Sequence, residues 1–400
     1  MDVTVRRLAS SADWVAVHDL DSRAFGVHRT PELDHAEARL FDDDSRIVLA
    51  EIDGTPVGTG AAFLFDLTVP GGASLAVAGI TNVAVAATHR RRGVLRAMLA
   101  GIHDRAIGDG LAVSILSASE SGIYGRFGYG LASRYAEWTI DPMRAAFREP
   151  APERSIRFVA QADAAAVLAP IYDAARRRRP GMLSRSTRWW DALLDPIENW
   201  KVGGRFFVAV ADEGYVLYQL HQGGPLGRMR MVVRELLATD DDTAAALWRF
   251  TLDIDLVTRV EATVPLDEPV WWRFADPRMI TTTAVRDYLF ACVLDVPAAL
   301  EARTWSNEID LVLDVTGGAV PGVDDRYRLR GDTTSSSCER VGSTPDLRLS
   351  AESLGALELG GVRPSVLASA GRIEELRPGA LAAADLAFPC SSAPFCTTRF

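Results

Sequence analysis

Apolar and polar positions along this chain repeat with strand-like and helix-like periods, and each change of period marks an element. Short apolar runs predict strands at residues 3–8, 46–52 and 57–67, with Asp53-Gly54 as a hairpin signal between the last two. Helical stretches are predicted around residues 11–25 and 35–41. A β-branched run over residues 81–86 gives another strand, which stops at Thr88-His89 and turns through Arg90-Arg91-Arg92-Gly93. Beyond the turn, Leu95, Met98, Leu99, Ile102 and Ala106 recur at three- and four-residue spacing, and Gly108 and Gly110 mark the helix end. A second strand and a glycine-flanked aromatic loop containing Tyr124 follow. Residues 137–140 read as the strand that closes this first mixed α/β sheet.

Residues 146–295 repeat the plan. Strands are predicted at 156–158, 206–211, 215–221 and 231–233, with a helix around 163–177 and another carrying Ala245, Leu247 and Phe250. The copy differs at its turn. Thr88-His89-Arg90-Arg91-Arg92-Gly93 is replaced by Ala238-Thr239-Asp240-Asp241-Asp242-Thr243. Carboxylates cap a helix N-terminus well but repel phosphate, so the second segment is not expected to hold a phosphorylated ligand. Residues 296–400 begin with Ile309, Leu311, Leu313 and Val315 on one face and Asp310, Val312 and Asp314 on the other, a half-buried strand. Residues 345–350 form another, leading into a helix that Ser350 can cap, and residues 372–375 are assigned to a later helical segment.

The first turn carries the chemistry. Gly93 lets a ligand approach the main chain, the following helix points unpaired N–H groups and the positive end of its dipole into the turn, and three arginines add cationic charge. Together these predict a pyrophosphate site, although arginine runs before a helix also serve as solvated or helix-pairing charge.

Composition narrows the classes. A chain of 400 residues with 48% hydrophobic content can bury two or three cores, so more than one domain is expected. A formal net charge of -10 and a pI near 5.2 argue against nucleic acid and make a cationic small molecule easier to accept. The opening MDVTVRRLASSADW lacks an apolar signal core, and no run of about 18 apolar residues occurs, so a soluble cytoplasmic protein with no membrane partner is expected. Cys292, Cys338, Cys390 and Cys396 lack CxxC spacing, and His18, His28, His35, His89, His103 and His221 are dispersed. Free thiols and no metal are expected.

Residues 82–130 thus order a strand, an anion-binding turn, a helix, a strand and an aromatic-glycine loop. The segment resembles the acyl-CoA-binding core of the GNAT superfamily of N-acetyltransferases, whose pattern after a strand is Arg/Gln-x-x-Gly-x-Gly/Ala. Arg90-x-x-Gly93-x-Leu95 matches it except at the last position. The words THRRRGVLRAML and SASESGIYGRFGYG, in a chain of this length ending in Phe, resemble the narrower Eis (enhanced intracellular survival) family over the whole chain.

That resemblance implies an α/β (α+β) architecture of tandem GNAT folds, mixed sheets flanked by helices, followed by a sterol-carrier-like α+β domain. Residues 1–145 would bind acetyl-CoA and carry catalysis, 146–295 would be a degenerate GNAT-like domain, and 296–400 the carrier-like domain. It implies that backbone amides of Val83, Ala84 and Val85 bind the acetyl carbonyl and pantetheine arm. Arg90, Arg91, Arg92, Gly93, Val94, Leu95 and Arg96 would hold the pyrophosphate, with Ser119 and Glu120 completing the cofactor site. A homo-oligomer, a hexamer in relatives, is implied as well.

Acyl transfer from a thioester to an amine needs a base, an N–H donor for the carbonyl and an acid for the leaving thiolate. By the resemblance Tyr124 is the acid and the terminal carboxylate of Phe400 the base. The residues alone also allow Tyr124 to pack against the cofactor and Phe400 to be held down by its ring. The acceptor implied is a primary amine of a small molecule, aminoglycosides foremost. Arg399 stands where relatives that acetylate aminoglycosides have an acidic residue, and Asn82 where some have an aromatic wall. The alternatives are a peptide or protein lysine acceptor, or a non-enzymatic acyl-CoA or lipid-binding protein.

Overall fold

The computed structural model describes residues 2–9, 11–26, 40, 46–195, 205–223 and 227–400. The helix expected at residues 35–41 lies outside that set, apart from Leu40. The chain forms two compact units. One comprises Met1–Ser133, Tyr288–Ser391 and Arg399–Phe400, the other Arg134–Asp287 and Ser392–Thr398.

The first unit opens with β1 (Thr4–Arg7), α1 (Ser11–Phe25), β2 (Ile47–Ile52), β3 (Thr55–Thr68), β4 (Ser74–Val85), α2 (Val94–Gly108), β5 (Val113–Ser117) and β6 (Gly130–Leu131). Ile52 pairs with Thr55 across Asp53-Gly54, both at positive φ, so the expected hairpin closes through a two-residue turn. After α2 crosses over, β5 runs parallel to β4.

The second unit holds β7 (Arg134–Ile140), β8 (Arg157–Val159), α3 (Gln161–Arg176), α4 (Thr187–Leu194), β9 (Phe207–Ala211), β10 (Gly214–Gln222), β11 (Met229–Ala238), α5 (Asp241–Leu252), β12 (Val257–Val264) and β13 (Ile280–Asp287). Its sheet runs β13-β7-β12-β11-β10-β9-β8. Asp240 caps α5 by accepting from the Thr243 N–H at 2.8 Å. Around the same helix end Arg154 lies 3.5 Å and Arg273 3.7 Å from Asp242, and Arg178 lies 3.9 Å from Asp241, so internal carboxylates occupy the cationic surroundings of this turn.

The strand expected at residues 137–140 exists as part of β7, but it does not close the first sheet. It pairs with β12 and β13 in the second unit. The place beside β5 is taken by β14 (Leu289–Val293), giving the first sheet the order β1-β2-β3-β4-β5-β14-β6. Both strands have a partner on each side, but they differ in burial: all five residues of β14 are buried, whereas β7 alternates and gives Ala136, Trp138 and Ile140 to the second unit's core.

The chain continues in the first unit with α6 (Val296–Glu301), β15 (Ile309–Thr316), β16 (Asp325–Gly331), β17 (Ser336–Arg340), β18 (Leu347–Ser350), α7 (Ala351–Leu357), α8 (Pro364–Ser369), β19 (Ile373–Glu375) and α9 (Ala380–Ala387). Ser350 caps α7 as expected, accepting from the Ser353 N–H at 3.1 Å. Val312, placed on the polar face of β15 from its alternation, is buried with Ile309, Leu311, Leu313 and Val315. Residues 373–375, expected to be helical, are instead an edge strand hydrogen-bonded antiparallel to β18. Three residues are too few to express a period, so partner availability decides. Helix α7 packs against β6 and β14, placing this module directly behind the loop that carries Tyr124.

Candidate active site

The site begins with a fault in β4. Thr59 pairs with Ala84 and Ala61 with Thr81, so Asn82 and Val83 together face the single residue Gly60, and Asn82 takes a left-handed φ of 50°. Such a bulge bends and twists its strand. Pairing with β5 ends at Ile80 opposite Leu116, although β4 runs on to Val85. The β5-facing edge of residues 81–85 is therefore without a strand partner among the described residues, and the backbone groups of Val83, Ala84 and Val85 on that side are free for an extended ligand.

Residues 87–89 make one 3₁₀ turn after β4, and Arg90–Gly93 bring the chain to α2. Arg91 has φ 63° and Gly93 φ 83°, both left-handed. Gly93 is the N-cap, no side chain caps the helix, and the first bond inside it runs from the Ala97 N–H to the Gly93 carbonyl. The N–H groups of Val94, Leu95 and Arg96 are thus left to an outside acceptor. Arg90, Arg91, Arg92 and Arg96 are exposed, and none pairs with a carboxylate among the described residues. Four unneutralised cations at an uncapped helix N-terminus fit a pyrophosphate.

Beyond β5, Ser119 and Glu120 lie exposed in a bend, and two 3₁₀ turns, Ser121–Ile123 and Gly125–Phe127, meet at Tyr124. The Tyr124 carbonyl accepts from the N–H groups of Phe127 at 2.9 Å and Tyr129 at 3.3 Å. Its half-buried phenol is pushed above the ordinary tyrosine range, first by burial and then by the charge of Glu120. Behind it stands Tyr129, edge-on, with ring centroids 5.9 Å apart.

Phe400 is brought to the end of β5. The Ser117 hydroxyl donates to its main-chain oxygen at 3.3 Å, and its ring meets Phe65 at 5.1 Å between centroids. Arg399 is exposed and makes no ion pair among the described residues. The expected site residues therefore collect at one end of β4 and β5, the end from which the turn, the Tyr124 loop and Ser117 all project.

Sequence reasoning assigned no role to Ser117, Ser114, His103 or Tyr129. The last three are buried and joined, the Tyr129 hydroxyl lying 2.6 Å from Ser114 Oγ and 2.8 Å from His103 Nε2. A serine in a strand and a histidine on a helix carry no spacing signal, because their meeting depends on how α2 lies across the sheet.

Residues 5–132 match the family described as Acetyltransferase (GNAT) domain, residues 181–291 match a second such family, and residues 296–397 match Sterol carrier protein domain. An uncharacterized N-acetyltransferase of Streptomyces coelicolor is 40% identical over 410 residues, covering 97% of this chain and 98% of that one. The N-acetyltransferase Eis of Mycobacterium tuberculosis is 35% identical over 391 residues, covering 94% of each. The solved structure of Eis1 from Mycobacterium abscessus superposes with a TM-score of 0.90 at 30% identity, over 99% of this chain and all of that one. A GNAT fold implies use of an acyl-CoA, and whole-length likeness to named N-acetyltransferases sets aside a purely non-enzymatic role. With an uncapped cationic turn, an open strand edge and these relatives, the chain belongs to the Eis family of N-acetyltransferases in the GNAT superfamily.

Proposed function

We propose that this enzyme transfers acetyl from acetyl-CoA to primary amines of a small molecule, aminoglycosides foremost, by direct attack. The observation that carries the reading is the set of four arginines, unpaired among the described residues, around the free α2 N-terminus and beside the open edge of β4. Acetyl-CoA supplies the activated thioester. Arg90, Arg91, Arg92 and Arg96, with Gly93 and the N–H groups of Val94, Leu95 and Arg96, hold the pyrophosphate, the 83–85 backbone holds the arm, and Ser119 and Glu120 border the rest. Phe400 accepts the proton of the attacking amine through its carboxylate. Tyr124 gives its phenolic proton to the departing sulfur as the C–N bond forms and the C–S bond breaks. Its raised pKa keeps that proton in place at neutral and mildly alkaline pH.

A second reading, a peptide or protein lysine acceptor, is favoured by Arg399. A guanidinium next to Phe400 that is unpaired among the described residues repels polycations and tolerates an amine flanked by acidic groups. The reading also includes a cytoplasmic homo-oligomer, a hexamer by family resemblance, and sedimentation velocity gives the subunit number. Among the described residues no helix is long and apolar enough to cross a membrane.

The test is thiol release from acetyl-CoA with aminoglycosides, polyamines and lysine peptides, using the intact protein, Tyr124→Phe and a chain lacking Phe400. Both variants are expected to lose about 100-fold or more in kcat. Release driven only by peptides would replace the small-amine acceptor with the second reading. Unchanged kcat in Tyr124→Phe would remove the acid assignment.

A further inference from the structure

We infer that Tyr129 is a positioning residue for Tyr124, its hydroxyl locked between helix α2 and strand β5 so that the loop bearing the acid is held in one conformation. The inference rests on Tyr124 being the acid.

Tyr129 is 1% exposed, too buried to meet a substrate, so any effect on the reaction must pass through what it touches. Three of its contacts bear on Tyr124 and its frame. Its hydroxyl lies 2.6 Å from Ser114 Oγ on β5 and 2.8 Å from His103 Nε2 on α2. Its N–H donates to the Tyr124 carbonyl. Its ring presents the surface against which Tyr124 stands at an interplanar angle of 77°.

The hydroxyl can donate to one partner while accepting from the other, and the arrangement is neutral throughout. Burial brings His103 down to about 4 and pushes Tyr129 well above its ordinary range, so neither carries charge at neutral pH. A neutral buried network with every member satisfied is stiff, and removing one atom leaves two buried partners short of a bond. The same helix presents the arginine turn at its other end. Tyr129 thus fixes the acid relative to both the strand and the helix that frame the cofactor site, and the third module closes the loop from behind through α7 on β6.

The experiment compares Tyr129→Phe, Tyr124→Phe and the double variant in steady-state thiol release, with His103→Gln and His103→Leu as a second pair. Tyr129→Phe is expected to lower kcat about 10-fold, as misplacement of a reacting group does, with the KM for acetyl-CoA changed less than about twofold. In the Tyr124→Phe background the same change is expected to cost nothing further, since the group being positioned is gone. His103→Gln, which keeps a hydrogen-bonding amide near Nε2, is expected to retain most of the rate that His103→Leu loses. Wild-type kcat in Tyr129→Phe, or losses that multiply in the double variant, would overturn the inference. Should Tyr129→Phe not fold, Ser114→Ala loosens the same hydroxyl with the aromatic kept and is read by the same criteria. If Tyr124→Phe is itself fully active, the acid assignment fails. An inactive Tyr124→Phe beside a normal Tyr129→Phe removes only the positioning role.

Discussion

Ser117 holds Phe400. The serine hydroxyl at the end of β5 donates to the Phe400 oxygen at 3.3 Å across a sequence separation of 283 residues, in the strand from which the Tyr124 loop departs. A hydrogen bond of this kind contributes about 1 kcal/mol, so Ser117→Ala is expected to lower kcat about fivefold while leaving the KM for acetyl-CoA unchanged. Steady-state kinetics with acetyl-CoA and amine varied in turn checks the split.

The ring of Phe400 needs the space left by Gly79. A Cβ there would stand 2.6 Å from Phe65 Cε2 and 3.1 Å from Phe400 Cε2. Gly79→Ala is therefore expected to displace the aromatic pair, costing about 1–3 kcal/mol in stability and more than tenfold in kcat. Thermal unfolding and turnover measured on one preparation separate the two effects.

At the arginine turn the expected effects fall on binding. Gly93→Ala meets no atom within 4 Å, yet its φ of 83° costs an L-residue about 1 kcal/mol, enough to raise the KM for acetyl-CoA about fivefold. Replacing Arg90, Arg91, Arg92 or Arg96 by Ala is expected to raise that KM and to flatten its dependence on salt, because exposed charges act through a screened field. Titrations at two ionic strengths decide this.

In the second unit, Arg185 and Glu235 form a buried pair at 3.0 Å, with side chains 3% and 1% exposed. Arg185 also donates to Thr397 Oγ1 at 3.1 Å and Thr398 Oγ1 at 3.0 Å, and lies over the Tyr172 ring at 4.0 Å. Glu235→Gln or Arg185→Met leaves a buried partner uncompensated and is expected to cost about 3–5 kcal/mol. Hydrogen exchange in segment Ser392–Thr398 is expected to rise with it.

Glu358 sets a pH dependence of stability. Both its carboxylate oxygens are buried without a hydrogen-bond partner among the described residues, and burial raises its pKa from 4.5 to about 7 in spite of Arg303 nearby. A raised carboxyl pKa means that the fold favours the protonated form. The contribution is complete below pH 4.5 and is lost as pH rises through about 7, a fall of about 3 kcal/mol. Glu358→Gln is expected to abolish this slope and to be more stable than the wild type at pH 8. Urea unfolding at pH 5 and pH 8 tests it.

What was legible in the residues alone was whatever depends on near neighbours in the chain. The Asp53-Gly54 hairpin, the apolar stripe of α2 ending at Gly108, the Asp240 and Ser350 caps and the cationic turn before Val94 each rest on contacts a few positions apart. The whole-chain likeness to Eis proteins was carried by words of the same local kind around Gly93 and Tyr124. Tertiary structure alone decided which sheet each strand joined, because alternation says which face of β7 is buried but not which partner's edge it meets. It likewise decided the meeting of Ser114, His103 and Tyr129 and the docking of Phe400 on Ser117. Such contacts between distant residues leave no period in the sequence, since they exist only once α2, β5 and the final residues have been packed together.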